Sequence, residues 1–330
     1  MSSSHTPYPK HATTPYMEPL KRYQHLLQDE WDDFCDALSK PLPQVLWTNT
    51  TRLTASELEP WLDQCGLLEH ATRLSWSEDA WKLPASLDVA YGTLLPFLAG
   101  LYHLQEEVSL IPGWMLDPQP YERILDTCAA PGGKTAQLAC LMRNHGTIVA
   151  NDRSPGRLRA VRSIIDRLGL LNIAMSEYNA ANFPRDIGTF DRILVDVPCS
   201  CEGTSRKNKR VLTTLENYDY ENQSRLQRAI LLRALEQLRP GGIAAYSTCT
   251  YAPEENERVV HQVLDQLGWD NYEIIPTPEL KGFKTMPGLL HWEDESYDAS
   301  MENAIRIWPH HNDTGGFFVA LIQKTQEVSQ

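Results

Sequence analysis

The feature that most constrains this chain is the regular alternation of short apolar runs with amphipathic ones from about Ile124 onward. "RILD", a Gly-rich turn and "KTAQLACLM" come first, "TIVAND" and "GRLRAVRSIIDRLG" next, then "NIAMSEY" and "FDRILVDVP". A helical stretch through "SRLQRAILLRALEQL", a Pro-Gly-Gly turn, "IAAYSTC", the helix "EENERVVHQVLDQLG" and an apolar strand "GFFVALIQK" complete the series. Strand and helix periods in turn predict βα units, and these call for an α/β fold with a parallel sheet and helices on both faces. Sheets of this kind bind ligands beyond the carboxyl ends of their strands. No internal repeat is visible.

Upstream, "EPLKRYQHLLQDEWDDFCDALS" has a helical apolar rhythm and "QVLWTNT" reads as a strand. "TASELEPWLDQCG" opens with Thr54 three residues before Glu57, a capping-box spacing, and ends at Gly66. Three regions are therefore expected: a tail without fixed structure over 1–16, a small α/β domain over 17–90 and the larger α/β domain over 91–330. The 330 residues are 42% apolar, enough for a packed core. No run of about 18 apolar residues occurs, and the amino terminus lacks the apolar stretch of a signal peptide. A cytoplasmic protein with no membrane contact is the expectation.

The segment "LDTCAAPGGKTAQLA" ends its turn in Gly-Gly-Lys-Thr, which suggests a phosphate loop. The G-x-x-x-x-G-K-[ST] pattern requires a first glycine where this chain has Cys128, so an ATP or GTP switch is disfavoured. An acidic residue about 20 positions after the turn is the general plan of nucleotide-cofactor sites, and Asp152 stands at that distance from Gly132. The turn also lacks G-x-G-x-x-G, which disfavours a dinucleotide. An adenosine cofactor without a pyrophosphate fits better, and S-adenosylmethionine is the common one. A purely structural glycine turn with a helix cap is the alternative.

Two further strand ends carry cysteines: "DVPCSCEG" holds Asp196 and Cys199, and "YSTCTYAPEENE" holds Cys249. A single buried cysteine is more often a small hydrophobe than a nucleophile, but three strand ends facing one side weaken that reading. All seven cysteines, at 35, 65, 128, 140, 199, 201 and 249, lack paired C-x-x-C spacing, so reduced thiols and no metal site are expected. Beside a methyl donor, two thiols and a carboxylate suit methylation of cytosine at C5. That carbon becomes nucleophilic only after a thiolate adds to C6, a second thiol can help release the product, and the carboxyl can hydrogen-bond the ring as charge develops.

"DTCAAPGGKT", "DVPCSCEGT" and "STCTYAPEENE", in this order, closely resemble the Nop/Sun family of RNA cytosine-C5 methyltransferases. The resemblance runs from about "GLYHLQEEVSLIPGWML" to "RIWPHHNDTGGFFVALIQK", roughly two thirds of the chain. It implies a Rossmann-like class I methyltransferase sheet preceded by a small α/β RNA-contacting domain. It also implies Cys249 as the nucleophile at C6, Cys199 as the thiol that assists release and Asp196 as a contact to the target ring. Cys128, Ala129, Ala130, Pro131, Gly132, Gly133 and Lys134 would line the methionine part of S-adenosyl-L-methionine, Asp152 would hold its ribose, and Arg157 would brace that edge. Asp196 would border the cofactor as well, and Lys134 would orient this carboxylate.

The chain departs from the family pattern in two places. Asn179 stands where an acidic residue near the adenine amino group is usual, and its carbonyl can still accept from that group. Cys201 replaces a glycine common after "PCS" and reads as a packed spacer. His310, His311 and Asp313 invite a metal reading, but without a fourth ligand a loop before the last strand is preferred.

The partner expected is structured RNA, ribosomal first and transfer RNA second, with no obligate protein partner. The formal charge of −13 opposes this. Yet Arg153, Arg157, Arg159, Arg162 and Arg167 crowd one segment, and Arg206, Lys207, Lys209 and Arg210 another. The competing reading keeps the fold but makes the chain a non-catalytic RNA-binding assembly factor.

Overall fold

Thr54 caps its helix as the spacing predicts: its hydroxyl accepts from Glu57 N, and the Glu57 carboxylate accepts from Thr54 N in return at 2.8 Å. The structure is a computed structural model that describes residues 15–325. The helix, Ala55–Gln64, lies against a small antiparallel sheet of β1 (Gln44–Thr48), β2 (Thr72–Arg73), β3 (Ala80–Leu83) and β4 (Tyr102–Leu104), in the order β2-β3-β1-β4. Leu46, Leu58, Leu62, Trp81, Leu83 and Tyr102 form its core. A boundary at residue 90 would cut this unit, because β4 comes from residues 102–104 and pairs with β1.

Of the tail expected over 1–16, residues 1–14 lie outside the described residues, and the last two belong to a 3₁₀ helix, Pro15–Tyr23. The single helix suggested for the first ordered segment is broken instead. Gln28 takes a φ of 43° between Gln24–Leu27 and Trp31–Ser39, so the apolar stripe changes direction there. That turn lets Tyr23 and Phe34 both reach Trp308 and Tyr251, with ring centroids 5.5–6.0 Å apart. The segment therefore packs on the large domain, not on the small sheet with which it was grouped.

The large sheet contains β5 (Arg123–Asp126), β6 (Thr147–Asn151), β7 (Ile173–Ser176), β8 (Phe190–Asp196) and β9 (Leu238–Thr248), parallel and in the spatial order β7-β6-β5-β8-β9. Beyond β9 it turns antiparallel. β10 (Tyr272–Ile275), β11 (Met286–Pro287), a separate hairpin of β12 (His291–Trp292) and β13 (Glu295–Ser296), β14 (Ile305–Ile307) and β15 (Phe317–Lys324) follow in sequence. β15 pairs antiparallel with β9, β10 and β14, and β14 with β11. The expected parallel sheet is present over β5 to β9 and carries an antiparallel edge beyond it that the sequence reading did not include. Only the nine residues from Trp308 to Gly316 join β14 to β15, and a parallel crossover needs a dozen or more.

Both faces of the sheet are apolar, because alternate residues point to opposite sides. Ile193, Val195, Ala244, Tyr246 and Phe318 meet the helices Tyr220–Glu236 and Glu257–Leu267. Leu194, Ala245 and Val319 meet Glu107–Leu116 and Gly133–Leu141. Among the described residues no helix is long and apolar enough to cross a membrane. The chain runs outward from β5 to β7 and then returns to β8 on the opposite side of β5. The strand order thus reverses between β5 and β8, where sheets of this class open a crevice.

Candidate active site

Asp126 ends β5 and Asp196 ends β8, so the crevice is flanked by these two strand ends. After Asp126 the chain turns through Cys128–Pro131 into the helix Gly133–Leu141. Gly132 takes a φ of 115°, and a Cβ there would lie 3.0 Å from Val161 Cα. The turn is fixed from outside: Ala129 N donates to Asn151 O at 2.7 Å, and Thr127 N donates to Leu194 O at 3.0 Å.

Asp152, 3% exposed and the first residue after β6, accepts from Ala130 N at 3.3 Å and from Ser154 N at 3.0 Å. Arg157 reaches across with Nη1 at 3.3 Å from Asp152 and donates to Ala130 O at 2.7 Å. Asn179 uses its carbonyl to cap the following 3₁₀ turn, accepting from Ala181 N at 3.1 Å. A pocket of about 150 Å³ lies between these groups, closed by Leu226 and Ile230.

A second pocket, of about 290 Å³, opens on the other side of Cys128 and Asp196, and the two share both residues, Ala130 and Val197. Cys249 lines it, with Lys134, Glu106 and Phe317. Lys134 Nζ lies 2.8 Å from Asp196 Oδ2, while Ser247 donates its hydroxyl to Oδ1 at 2.8 Å. Burial opposes the Lys134 ammonium, but the Asp196 carboxylate, helped by Cys249 and Asp126, holds it above its ordinary range. Burial pushes the Cys128 thiol up to about 12, so it stays protonated at the wall between the pockets.

Cys199 and Cys249 come from separate loops, yet their sulfurs are 3.4 Å apart. The loops are bound to each other around them. Ser200 N donates to Glu255 at 3.0 Å, the hydroxyls of Ser200 and Thr250 meet at 2.6 Å, and Gly203 N donates to Cys249 O at 2.9 Å. Buried Glu202 completes the frame by accepting from Tyr23, Tyr220 and Tyr251 N.

Cys201, expected only as a spacer, points its sulfur to within 3.9 Å of Cys199. Hydrogen bonds to Cys201 and Cys249, together with burial, push Cys199 well up and make it a donor in the cluster. For Cys249 the bond with Cys199 favours the thiolate, but the bond with Cys201, burial and the Asp196 charge together raise it well above the ordinary range.

Cys128, Ala130 and Asp196 line both pockets, Asp152, Arg157 and Asn179 the smaller one, and Ala129, Pro131, Gly133, Lys134 and Cys249 the larger one, while Gly132 and Cys199 line neither and Cys199 reaches the site only through its contact with Cys249. His310 and His311 lie away from both: they face Glu30, Nε2 to Oε2, at 3.3 and 2.9 Å, while Asp313 pairs with Arg206 at 2.6 Å. Sequence reasoning missed Gln105 and Glu106, which follow β4 of the small sheet and reach the pocket from there; Glu106 accepts from Gly315 N at 2.7 Å. No local motif marks them. It also missed Glu30 and Ser247, although Ser247 sits two residues before Cys249 in a motif already singled out.

The model of the family described as 16S rRNA methyltransferase RsmB/F matches residues 113–323. The chain is 37% identical over 305 residues to a tRNA (cytosine(49)-C(5))-methyltransferase of Pyrococcus abyssi, covering 92% of this chain and 95% of that protein. It is 35% identical over 297 residues to the human 28S rRNA (cytosine(4447)-C(5))-methyltransferase, covering 88% of this chain but 36% of that longer protein. A solved methyltransferase homologue from Pyrococcus horikoshii superposes with a TM-score of 0.80 at 33% identity, over 94% of this chain and 99% of the other. The matched span contains β5 to β9, both cysteine loops and nearly all of β15, and on it the chain belongs to the RsmB/F methyltransferase family.

Proposed function

We propose that the chain is an S-adenosylmethionine-dependent RNA cytosine-C5 methyltransferase, and the observation that carries this reading is the 3.4 Å approach of Cys199 to Cys249, which lines the larger of two pockets that meet at Asp196. The smaller pocket fits the cofactor. Asp152 offers a buried carboxylate for ribose hydroxyls, Ala130 of the turn leaves room for close approach, and no Lys or Gly-rich cradle for a pyrophosphate faces it. When bound there, S-adenosylmethionine supplies a methyl group on a sulfonium centre.

The chain's own residues account for the remaining steps. Cys249, held protonated at rest, gives its S–H proton to solvent at the larger pocket as its sulfur adds to C6 of a cytosine there, forming a C–S bond and placing the displaced electron pair at C5. Asp196, held between Lys134 and Ser247, hydrogen-bonds the ring edge where that charge accumulates. After C5 gains its methyl group, its proton leaves to a base, the pair collapses towards C6, and the C–S bond breaks to return the Cys249 thiolate. Cys199, in contact with that sulfur, assists the expulsion. A base in a helix must first be flipped out to reach Cys249.

The small sheet, the exposed Arg153, Arg159 and Arg162, and Lys207 at the pocket are assigned to RNA contact. Arg167 and Arg206 are not, because both are spent on backbone carbonyls. Ribosomal RNA, expected from the sequence, shares the field with transfer RNA, which the near full-length match to the Pyrococcus abyssi enzyme favours. A cytoplasmic site of action goes with either.

The test is transfer of labelled methyl from S-adenosylmethionine to total RNA, read with denaturing gels of the variants expressed in cells. Cys249→Ala should abolish transfer. Cys199→Ala should give a slow band that collapses on nuclease treatment, and sequencing of the attached RNA would name the target. Wild-type protein that transfers nothing, with no slow band from Cys199→Ala, would leave the assembly-factor reading in its place.

A further inference from the structure

Three thiols, not two, meet at the crevice. The sulfurs of Cys199, Cys201 and Cys249 all lie within 4.8 Å of one another, with separations of 3.4 Å for 199–249 and 3.9 Å for 199–201. Zn–S bonds of about 2.3 Å set sulfurs about 3.8 Å apart in a tetrahedral site. The cluster is therefore spaced for three ligands of one ion before any rearrangement.

The backbone supplies an independent observation. Cys201 adopts φ 61° and ψ 23°, the left-handed region that glycine enters freely and a β-carbon makes costly. The turn itself asks for glycine, yet a thiol stands there and points inward to the other two. Strain held by a side chain that converges on two reactive groups is an indication of use.

We propose that Cys199, Cys201 and Cys249 form a three-thiolate site for a soft divalent cation of the zinc class, and that filling it withdraws the nucleophile from reaction. Soft thiolates select such ions, and Cys249 opens the cluster to the larger pocket, through which an ion can enter. Binding replaces each S–H proton with a metal–sulfur bond and releases the proton to solvent, with no change of oxidation state. Three thiolates and a dication leave one negative charge beside the Lys134–Asp196 ion pair. The metal site stands on geometry alone; its inhibitory effect rests on the methyltransferase reading.

The probe is Cd²⁺, titrated into the full chain in metal-free buffer with a phosphine reductant, and read by the ultraviolet thiolate-to-metal charge-transfer band. That band reports sulfur ligands only, so the Glu30–His310–His311 group does not contribute. Wild type should saturate at one ion per chain, and Zn²⁺ should compete the band away. Loss of an outer-shell partner already costs about 10–100-fold in affinity, so Cys201→Gly, which removes a ligand, should weaken binding by roughly 100-fold or more. Glycine also relieves the left-handed backbone, so the variant should unfold no earlier than wild type.

In the methyl-transfer assay, Zn²⁺ should inhibit wild type at the midpoint of binding and Cys201→Gly only at far higher concentration. Identical Cd²⁺ curves for the two proteins, or a band that never saturates, would overturn the site. Saturation by Cd²⁺ in a wild-type protein that transfers no methyl even without metal would uphold the site and sink the functional reading instead.

Discussion

Asp126 is 1% exposed, and burial pushes its carboxyl up to about 7 against the opposing hydrogen bond from Thr135 at 2.6 Å. The folded chain keeps this proton up to about pH 7, while an unfolded one releases it near 4. Between those values the native state binds more protons, so this group makes stability fall as pH rises, and the loss is complete above 7. The interval from 3.8 to about 7 corresponds to on the order of 4 kcal/mol at about 1.36 kcal/mol per pH unit. Asp126→Asn should therefore gain on wild type as pH goes from 4 to 7 and hold that advantage at pH 8. Urea midpoints that move in parallel for the two proteins would contradict it. At this scale the sequence was readable where a residue belongs to a strand-end motif: Cys128, Ala130, Lys134, Asp152, Asp196 and Cys249 line the two pockets, whereas Gly132 shapes the turn behind them and Cys199 only touches Cys249. What spacing does not encode is the direction of a side chain on a distant loop, and so Glu30, Glu106 and the inward turn of Cys201 were not legible.

Among the elements, the turn at Gly132 governs how closely two helices approach. Alanine there must take a φ of 115°, and its Cβ would press on the backbone of Val161 in the helix Pro155–Leu168. Gly132→Ala should lower stability by about 1–3 kcal/mol and weaken binding of S-adenosylhomocysteine, checked by thermal unfolding and calorimetry. An unchanged melting temperature would mean that the helix yields at no cost. The strands and helices of the βα series were legible because apolar period and glycine punctuation agree there. The Pro-Gly-Gly turn was legible only in part. Those residues stay within β9 as a bulge, with Arg239–Gly242 set against Asp191 between the pairs Phe190–Leu238 and Arg192–Ile243. The antiparallel edge was hidden because strand direction depends on connection length and not on the strand's own residues.

For the whole molecule, Arg206 is the tie between regions far apart in the chain. Its side chain is fully buried and donates to Pro41 O and Thr314 O at 2.8 Å each, to Lys40 O, and to Asp313. It thus joins the link into the small sheet, the loop after the thiols and the loop before β15. Arg206→Ala should cost about 3 kcal/mol or more, since several carbonyls lose their donor at once. Arg206→Lys should recover only part, because one ammonium cannot reproduce the planar fork. Limited proteolysis near Lys40 should quicken in step, and an unaltered cleavage rate would argue that packing alone holds the small sheet in place. The boundary of that sheet was not legible, because β4 is separated from β3 by a long excursion with no strand signal of its own. The position of β15 also has a consequence for biosynthesis. β9, whose end leads directly to Cys249, finds its outer neighbour only when β15 has been made, about 70 residues after Thr248. At about 5–20 residues added per second, the newborn chain carries that edge unpaired for roughly 3–14 s, open to mispairing with any other strand in reach.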